Sequence, residues 1–311
     1  MTIRPLSTAL RKKAEEELNE TPERIQTDIQ ILRDWLRQQP HLHSVNPSDQ
    51  WLVAFLRGCK YNIEKAKGKI DMYYTLKATI PEFYANRDPL DPGIQELLKL
   101  GVTLPIKKSV REDSPRILLN RVGVFSHTSR PLTDLIKISL MVIEIMLLDD
   151  DNFTIAGEDA IVDCTDLAFS LLWHWTPALA SKVASSAEKA LSLRLKSMHI
   201  MNGPFFIGPA VKLFKMFLGA KLKQRFHWHD KDCETLYEHF NKSVLPVEYG
   251  GTDGELQELI DYWKAKVESH REWFLDTGCS DESKRPKTAS RSIFSSIMRP
   301  FQSSEVEKNT S

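Results

Sequence analysis

The chain changes its hydrophobic pattern at Asp91-Pro92-Gly93, and this change restricts the folds open to it. Before that point apolar residues recur at helical spacing, as in Ile25, Ile29, Leu32 and Leu36. After it, short β-prone runs alternate with helical segments. Such alternation predicts a largely parallel sheet with helices packed on it. We therefore expect an α/β fold, with a helical N-terminal domain followed by a mostly parallel β-sheet with helices packed on it.

The boundaries of these elements follow from the same patterns. We predict strands at residues 116–119, 160–164, 194–201 and 226–229, and helices at 133–148, 176–191, 205–218 and 255–273. The predicted order is an N-terminal lead (1–20), a helical domain (21–90), an α/β domain (91–254), a C-terminal helix (255–275) and a disordered tail (276–311) rich in Ser, Lys, Arg and Pro. Within the tail, one helical face would carry Ile293, Phe294, Ile297, Met298 and Phe301.

Composition places the chain among globular proteins. Of its 311 residues, 41% are hydrophobic and 27% are charged, which is typical of a chain that buries a full core. The most apolar run, Leu135 to Leu148, is too short to span a bilayer. The first residues do not have the pattern of a secretory signal, and the four cysteines form no CxxC pair. We therefore expect a cytoplasmic protein with reduced thiols.

Sequence motifs of catalysis and metal binding do not occur. GxSxG, P-loop, GxGxxG and HExxH patterns are all missing, so we expect no enzyme and no cofactor. His227 and His229 lie two apart on a predicted strand and would share a side. The sequence places no third ligand beside them, so a packed strand is preferred to a metal site. The run Asp149-Asp150-Asp151 is interpreted as a solvated helix end.

Positive charge is concentrated in one stretch. Lysine plus arginine balance aspartate plus glutamate at 42 each, yet no acidic residue lies between Glu188 and Asp230. That stretch contains eight basic residues: Lys189, Arg194, Lys196, Lys212, Lys215, Lys221, Lys223 and Arg225. Spacing of two on a strand and of four on a helix would pair Arg194 with Lys196 and Lys221 with Arg225. These basic residues could form a solvated face or a clamp for a phosphorylated headgroup. Nucleic acid is disfavoured as the ligand because the net charge of the chain is zero.

An unusually apolar helix runs through the basic stretch. Ten of the fourteen residues from Phe205 to Leu218 are apolar, leaving a narrow polar stripe. A helix that is apolar nearly all round needs partners on more than one side. Asn202-Gly203-Pro204 before it and Gly219 after it are candidate hinges. From the residues alone, a core helix and a gate between a cavity and a bilayer are both open.

Several motifs resemble one family. Phe55-Leu56-Arg57 with Tyr61 to Ala66 resembles the helical N-terminal domain of the CRAL-TRIO family. The motifs that resemble its lipid-binding domain are Ala160 to Asp163, Thr176-Pro177, His199 to Pro204 and Leu245 to Gly251. The likeness covers roughly residues 21 to 275 in the same order, and is greatest to the tocopherol-transfer and retinaldehyde-binding branch.

The resemblance implies a carrier that encloses one hydrophobic molecule under a mobile gate helix, here Phe205 to Leu218. In the tocopherol-transfer branch a basic cleft binds phosphoinositide, and its matching positions are Arg194, Lys196, Lys221 and Arg225, all still basic. Just after the Phe-Leu-Arg motif the family often has a further arginine, where Cys59 stands here. This departure puts in question what the helical domain contributes to headgroup binding.

The resemblance also implies a ligand cavity. Its matching positions are mostly apolar: Ile136, Ser139, Ile143, Val162, Val183, Ser186, Leu191, Leu193, Phe214 and Leu218. Tocopherol, a retinoid or another isoprenoid would suit this lining. We expect a monomeric lipid-transfer protein that associates peripherally with phosphoinositide-containing endosomal or plasma membranes and binds no nucleic acid. The alternative is a phosphoinositide-binding adaptor of endosomal traffic that transfers no lipid, and a lipid-modifying enzyme is a more distant one.

Overall fold

Helices form the N-terminal part of the protein. The computed structural model describes residues 3–229, 234–276 and 278–286. Its first elements are α1 (Thr8–Leu18), α2 (Pro22–Arg37), a 3-10 turn (Pro40–Leu42), α3 (Asp49–Gly58), α4 (Ile63–Thr79), α5 (Pro81–Tyr84) and α6 (Pro92–Leu100). The predicted N-terminal lead thus contains a helix, α1, which buries Leu10, Ala14 and Leu18 in the main core.

The start of each long N-terminal helix is fixed by a side-chain cap. Thr21, Ser48 and Asn62 accept hydrogen bonds from the backbone N–H three residues further on, which satisfies a donor that the helix itself leaves free. Pro22 occupies the first turn of α2, where its missing N–H costs nothing. Between these helices Trp51 packs on Tyr73, with ring centroids 5.2 Å apart.

A five-stranded sheet forms the centre of the second part. Its strands are β1 (Thr103–Pro105), β2 (Arg116–Arg121), β3 (Glu158–Asp163), β4 (Leu195–Met201) and β5 (Phe226–Trp228), in the order β1-β2-β3-β4-β5. β1 pairs with β2 antiparallel, and the remaining neighbours are parallel. The predicted α/β fold with a mostly parallel sheet is confirmed, and the predicted strands lie within two residues of the observed ones.

The helices of the second part cover this sheet. They are α7 (Leu132–Asp149), α8 (Asp151–Ala156), α9 (Pro177–Ala184), α10 (Ile207–Met216), α11 (Ala220–Lys223), α12 (Glu234–Tyr237), α13 (Leu256–Ser269) and α14 (Arg271–Leu275). The helix predicted at 176–191 becomes a π-helix at Ser185–Ala190, and the one predicted at 255–273 breaks at His270. Within the described residues, no helix is long and apolar enough to cross a membrane.

Buried ion pairs join the helical part to the sheet part. Arg57 of α3 is fully buried and donates to Glu20 at 2.8 and 3.0 Å and to Asp151 of α8 at 2.6 Å. Arg87 donates to Glu144 of α7 at 2.8 Å. Removing either partner of such a pair would leave an uncompensated buried charge, so both pairs fix the relative position of the helices they connect.

The start of the predicted disordered tail is a correction. Residues 278–286 pack against the helical part, where Arg285 is almost fully buried and donates to both carboxylate oxygens of Asp71 at 2.7 and 3.0 Å. Ser280 donates to the carbonyl of Tyr74 at 3.2 Å. The prediction of disorder from residue 276 rests on composition. Composition does not reveal the ion pair between Arg285 and Asp71, because the two residues are far apart in the sequence. The amphipathic face at 293–301 lies outside the described residues.

Candidate functional site

Helix α10, the centre of the predicted gate, buries none of its residues. The chain directly after it packs with α9 in a small apolar cluster separate from the main core, formed by Ala180, Ala184, Phe217 and Leu218. Leu213 and Phe214 of α10 pack against this cluster, and the Trp175 indole donates to the carbonyl of Ala210 at 3.1 Å. An apolar helix held by one thin cluster and one side-chain hydrogen bond has few contacts to break if it moves.

The backbone enters this helix through a fixed corner. Asn202, directly after β4, has φ 53°, in the left-handed region that disfavours most side chains. Its side-chain amide donates to Asp163 at 3.0 Å and to Thr165 at 2.8 Å. Tyr249 donates to the other oxygen of Asp163 at 2.7 Å. Burial raises the pKa of Asp163, but the hydrogen bonds from Thr165, Asn202 and Tyr249 outweigh it and hold the pKa below its usual value.

The residues predicted to line a cavity separate into two groups. Seven are partly accessible: Ile136, Ser139, Ile143, Val162, Val183, Leu193 and Phe214. Ser186, Leu191 and Leu218 are buried, so in this state of the protein they do not face open space. Ile136 and Ile143 pack on the main core, whereas Phe214 packs on the small cluster. The partly accessible residues therefore include members that pack on each of the two clusters. We call the boundary between the main core and the small cluster the seam.

Of the two predicted cavity hydroxyls, Ser139 is already engaged. Its oxygen lies 2.8 Å from the Thr103 hydroxyl, and it donates to the carbonyl of Leu135 at 3.0 Å. Ser186 is buried next to Tyr84. The role of either hydroxyl in orienting a ligand stays a prediction.

Three of the four predicted headgroup residues come together. Arg194 lies just before β4 and Lys196 within it, and the charge of Arg225 acts on both. Burial lowers the pKa of Arg194, and burial together with the Arg194 charge lowers the pKa of Lys196. Because each of these positive charges disfavours the others, an anion beside them would be favoured.

The predicted pairing of Lys221 with Arg225 on one helix is wrong. Helix α11 ends at Lys223, because the chain must turn there to enter β5 at Phe226. Arg225 therefore lies in the connection between α11 and β5, from where its charge acts on Arg194 and Lys196. Lys221 is exposed on α11.

An acidic residue enters this cleft from far away in the sequence. Glu17 of α1 accepts from Arg194 at 2.9 Å and lies 3.8 Å from Lys196. Burial raises the pKa of Glu17, but the charges of Lys196, Lys13 and Arg194 outweigh it and hold the pKa below its usual value. The acid-free stretch that we identified in the sequence is therefore not free of acid in space. Nothing in the local sequence pattern pointed to Glu17.

Exposed aromatic rings cluster at the start of the gate. Phe205 is 95% exposed and Trp173, in the 3-10 segment Phe169–His174, is 75% exposed. The ring of Phe169 contacts those of Trp173 and Phe206, with centroids 6.1 and 5.1 Å apart. We call Phe169, Trp173, Phe205 and Phe206 the aromatic patch. Large exposed apolar patches mark interaction sites. The sequence signal of this patch is an apolar run without helical period at residues 169–173.

The histidines around β5 form a stack. The ring of His199 lies 4.8 Å from that of His227 and 4.7 Å from that of His239 between centroids, and its Nδ1 lies 2.7 Å from His229 Nε2. Burial and the neighbouring imidazoles lower the pKa of His199 to about 3. Among the described residues, no group of His, Cys, Asp and Glu is arranged to hold a metal ion.

Two parts of the chain match known protein families. Residues 111–251 match the family model for the CRAL/TRIO domain, and residues 21–94 match that for a Pinta-like UBA domain. The chain is 28% identical over 274 residues to the alpha-tocopherol transfer protein-like protein of Mus musculus, covering 88% of this chain and 78% of that protein. It is 26% identical over 247 residues to clavesin-1 of Pongo abelii, covering 79% and 69%.

Among solved structures, the crystal structure of Sfh5 superposes on this chain with a TM-score of 0.49. The sequence identity is 13%, and the superposition covers 85% of this chain and 98% of that chain.

Proposed function

We propose that this chain, which is a member of the CRAL-TRIO family, carries a small hydrophobic lipid such as tocopherol, a retinoid or another isoprenoid. Members of this family bind and transfer lipids, and we propose that this one acts without catalysis. The observation that carries the proposal is α10: an apolar helix, none of whose residues is buried, that rests on a cluster separate from the core. Such a helix can lie over a hydrophobic ligand and still move.

The seam between the two apolar clusters is the proposed place of the ligand. Ile136 and Ile143 of α7 would contact it from the core side, and Phe214 of α10 from the gate side. Each CH₂ group that the ligand removes from water contributes about 0.8 kcal/mol. The protein would therefore not release a ligand of about twenty carbons into water, and release requires an apolar acceptor.

We propose that a membrane is this acceptor. Chain connectivity supports the proposal, because the gate begins at the aromatic patch and is flanked in sequence by the cations of the basic cleft, Arg194 and Lys196 before it and Lys221 and Arg225 after it. Trp173 and Phe205 would enter the lipid layer, while Arg194, Lys196, Lys221 and Arg225 would contact anionic headgroups, phosphoinositides in our proposal. The protein would thus be cytoplasmic and bind endosomal or plasma membranes peripherally, as a monomer.

A two-step experiment tests this function. Lipid extracted from protein purified from its native tissue is identified by mass spectrometry. Transfer of that lipid is then followed between phosphatidylcholine vesicles, with and without phosphatidylinositol bisphosphate in the acceptor. We expect a stoichiometric lipid and faster transfer to the phosphoinositide acceptor. Vesicle binding without transfer would indicate the adaptor function instead, and turnover of the bound lipid would indicate an enzyme.

A further inference from the structure

Glu17 lies among the cations of the basic cleft as a bound anion would. Its Oε2 is 2.9 Å from Arg194 Nη2 and 3.8 Å from Lys196 Nζ, and its Oε1 is 3.6 Å from Lys13 Nζ. These contacts come from three places in the chain: α1, the residue before β4, and β4 itself. One carboxylate therefore has the neighbours that a phosphate group of a ligand would need.

The cleft has more donors than this carboxylate uses. The Arg194 side chain is only 10% exposed, and its Nη1 is buried with no hydrogen-bond partner among the described residues. A buried donor without an acceptor is unfavourable, so an anion that supplies a further oxygen would be preferred here. A phosphomonoester carries three such oxygens and more negative charge than a carboxylate.

Glu17 is also held weakly enough to leave. Its side chain is 38% exposed, and ion pairs with that much solvent contribute little to stability. Helix α1 stays attached without it, because Leu10, Ala14 and Leu18 are buried in the core. Lys13 has a second partner, Asp113 at 3.4 Å, which keeps this lysine beside the cleft.

We propose that Glu17 occupies the phosphate position of the basic cleft as an internal stand-in, and that a phosphomonoester of a lipid headgroup displaces it. Lys13 then becomes a binding residue of the cleft, alongside Arg194 and Lys196. This inference rests on the proposed function, because it presumes that the cleft binds anionic headgroups. Its consequence is regulatory: the carboxylate sets a threshold, so that only a multiply charged headgroup engages the protein.

The experiment compares Glu17→Gln with Glu16→Gln. Both variants remove one negative charge from α1, but Glu16 is exposed and its nearest cation is Lys12 at 3.9 Å. Binding is measured by co-sedimentation with phosphatidylcholine vesicles with and without phosphatidylinositol bisphosphate. Soluble inositol phosphate and inorganic phosphate are titrated in parallel, to distinguish a membrane headgroup from a free anion. We expect Glu17→Gln to bind phosphoinositide vesicles about five-fold more tightly than the parent, and Glu16→Gln to differ from the parent less than two-fold.

The outcomes separate this inference from the proposed function. An equal increase in vesicle binding for both variants would mean that net charge alone acts. It would overturn the proposal that Glu17 occupies the phosphate position. Unchanged binding for Glu17→Gln, where Lys221→Glu with Arg225→Glu abolishes binding, would overturn it while the proposed docking stands. If no variant binds phosphoinositide vesicles, the docking itself fails. Tighter binding of inorganic phosphate by Glu17→Gln without a gain on vesicles would retain the stand-in and assign the site to a soluble anion. Lys13→Gln should weaken vesicle binding in the Glu17→Gln background; no effect there would remove Lys13 from the cleft.

Discussion

The side-chain amide of Asn202 donates to Asp163 at 3.0 Å, across the ends of the neighbouring strands β4 and β3. This bond holds the residue that precedes the gate in a left-handed conformation, with φ 53°. Because Asp163 also accepts from Tyr249, the gate corner is tied to the Leu245 to Gly251 motif. The corner thus connects three of the sequence motifs that resemble the CRAL-TRIO family: Ala160 to Asp163, His199 to Pro204 and Leu245 to Gly251.

Replacing Asn202 should loosen the gate. Asn202→Gly removes the hydrogen bonds but keeps the left-handed conformation available, so we expect several-fold faster ligand exchange with a small loss of stability. Asn202→Ala should cost about 1 kcal/mol more in unfolding free energy, because alanine disfavours positive φ. Stopped-flow ligand release and denaturant unfolding measure the two effects. Ligand release unchanged in both variants would exclude this corner as the hinge.

Filling the proposed ligand space should displace the lipid. In Ile143→Trp, an indole would replace a partly accessible side chain of the proposed ligand space, and we expect ligand binding to be lost while the protein stays folded. Ile143→Val is the matched control, because it shortens the same side chain and should bind normally. Ligand titration is paired with circular dichroism. A folded tryptophan variant with parental affinity would place the cavity elsewhere.

Reversing charge at the end of the gate should remove vesicle binding. Each cation near an anionic surface contributes about 1 kcal/mol, and salt screens it. We expect Lys221→Glu with Arg225→Glu to lose binding to phosphoinositide vesicles at low salt, with unchanged ligand affinity. The control, Lys99→Glu with Lys108→Glu, makes the same charge change at two exposed lysines, one in α6 and one after β1. Loss of ligand affinity in the first variant would show that these residues are structural.

The aromatic patch should contribute to membrane binding independently of salt. We expect Trp173→Ser and Phe205→Ser each to weaken vesicle partitioning by about 1–2 kcal/mol at both low and high salt, because the hydrophobic contribution is not screened. Leu90→Ser is the control, since Leu90 is 55% exposed outside the patch. A loss that vanishes at high salt, or an equal loss for Leu90→Ser, would remove the patch from the membrane-binding surface.

Acid should destabilise the histidine stack. The pKa of His199 is lowered to about 3 in the folded protein, so folding favours the neutral ring. Its contribution to stability is present above the unfolded value near 6.5 and is lost as the pH falls below it, by about 1 kcal/mol for each pH unit. His199→Gln should flatten the dependence of the unfolding free energy on pH between 7 and 5, measured by urea denaturation. An unchanged slope would mean that other groups govern acid unfolding.

The sequence reveals those parts of the fold that depend on local pattern. Strands β2 to β5 follow from short β-prone runs, and the caps at Thr21, Ser48 and Asn62 from residue type and position. The π-helix at Ser185–Ala190 has no such pattern, since a wider turn is set by packing. Neither has the break in the C-terminal helix at His270.

The candidate site was predictable only where its residues are neighbours in the chain. Arg194 and Lys196 were found because they are two residues apart. Glu17 was not, because its contact with Arg194 spans 177 residues and no periodic pattern links them. Trp173 lies in a 3-10 segment, which lacks the spacing that shows which face of a helix is apolar. Exposure of an aromatic ring is known only once the chain is folded.

Arg285 has a consequence for how this protein can be shortened. Its guanidinium neutralises Asp71, a carboxylate that also contacts His41 at 3.0 Å. Burial raises the pKa of Asp71, but the hydrogen bonds from Arg285 and His41 outweigh it and keep the pKa below its usual value. A fragment that stops at the end of α14 would leave this aspartate without its strongest counter-ion. A shortened protein should therefore keep Arg285 and end no earlier than Pro286, where the chain packs against the helical part.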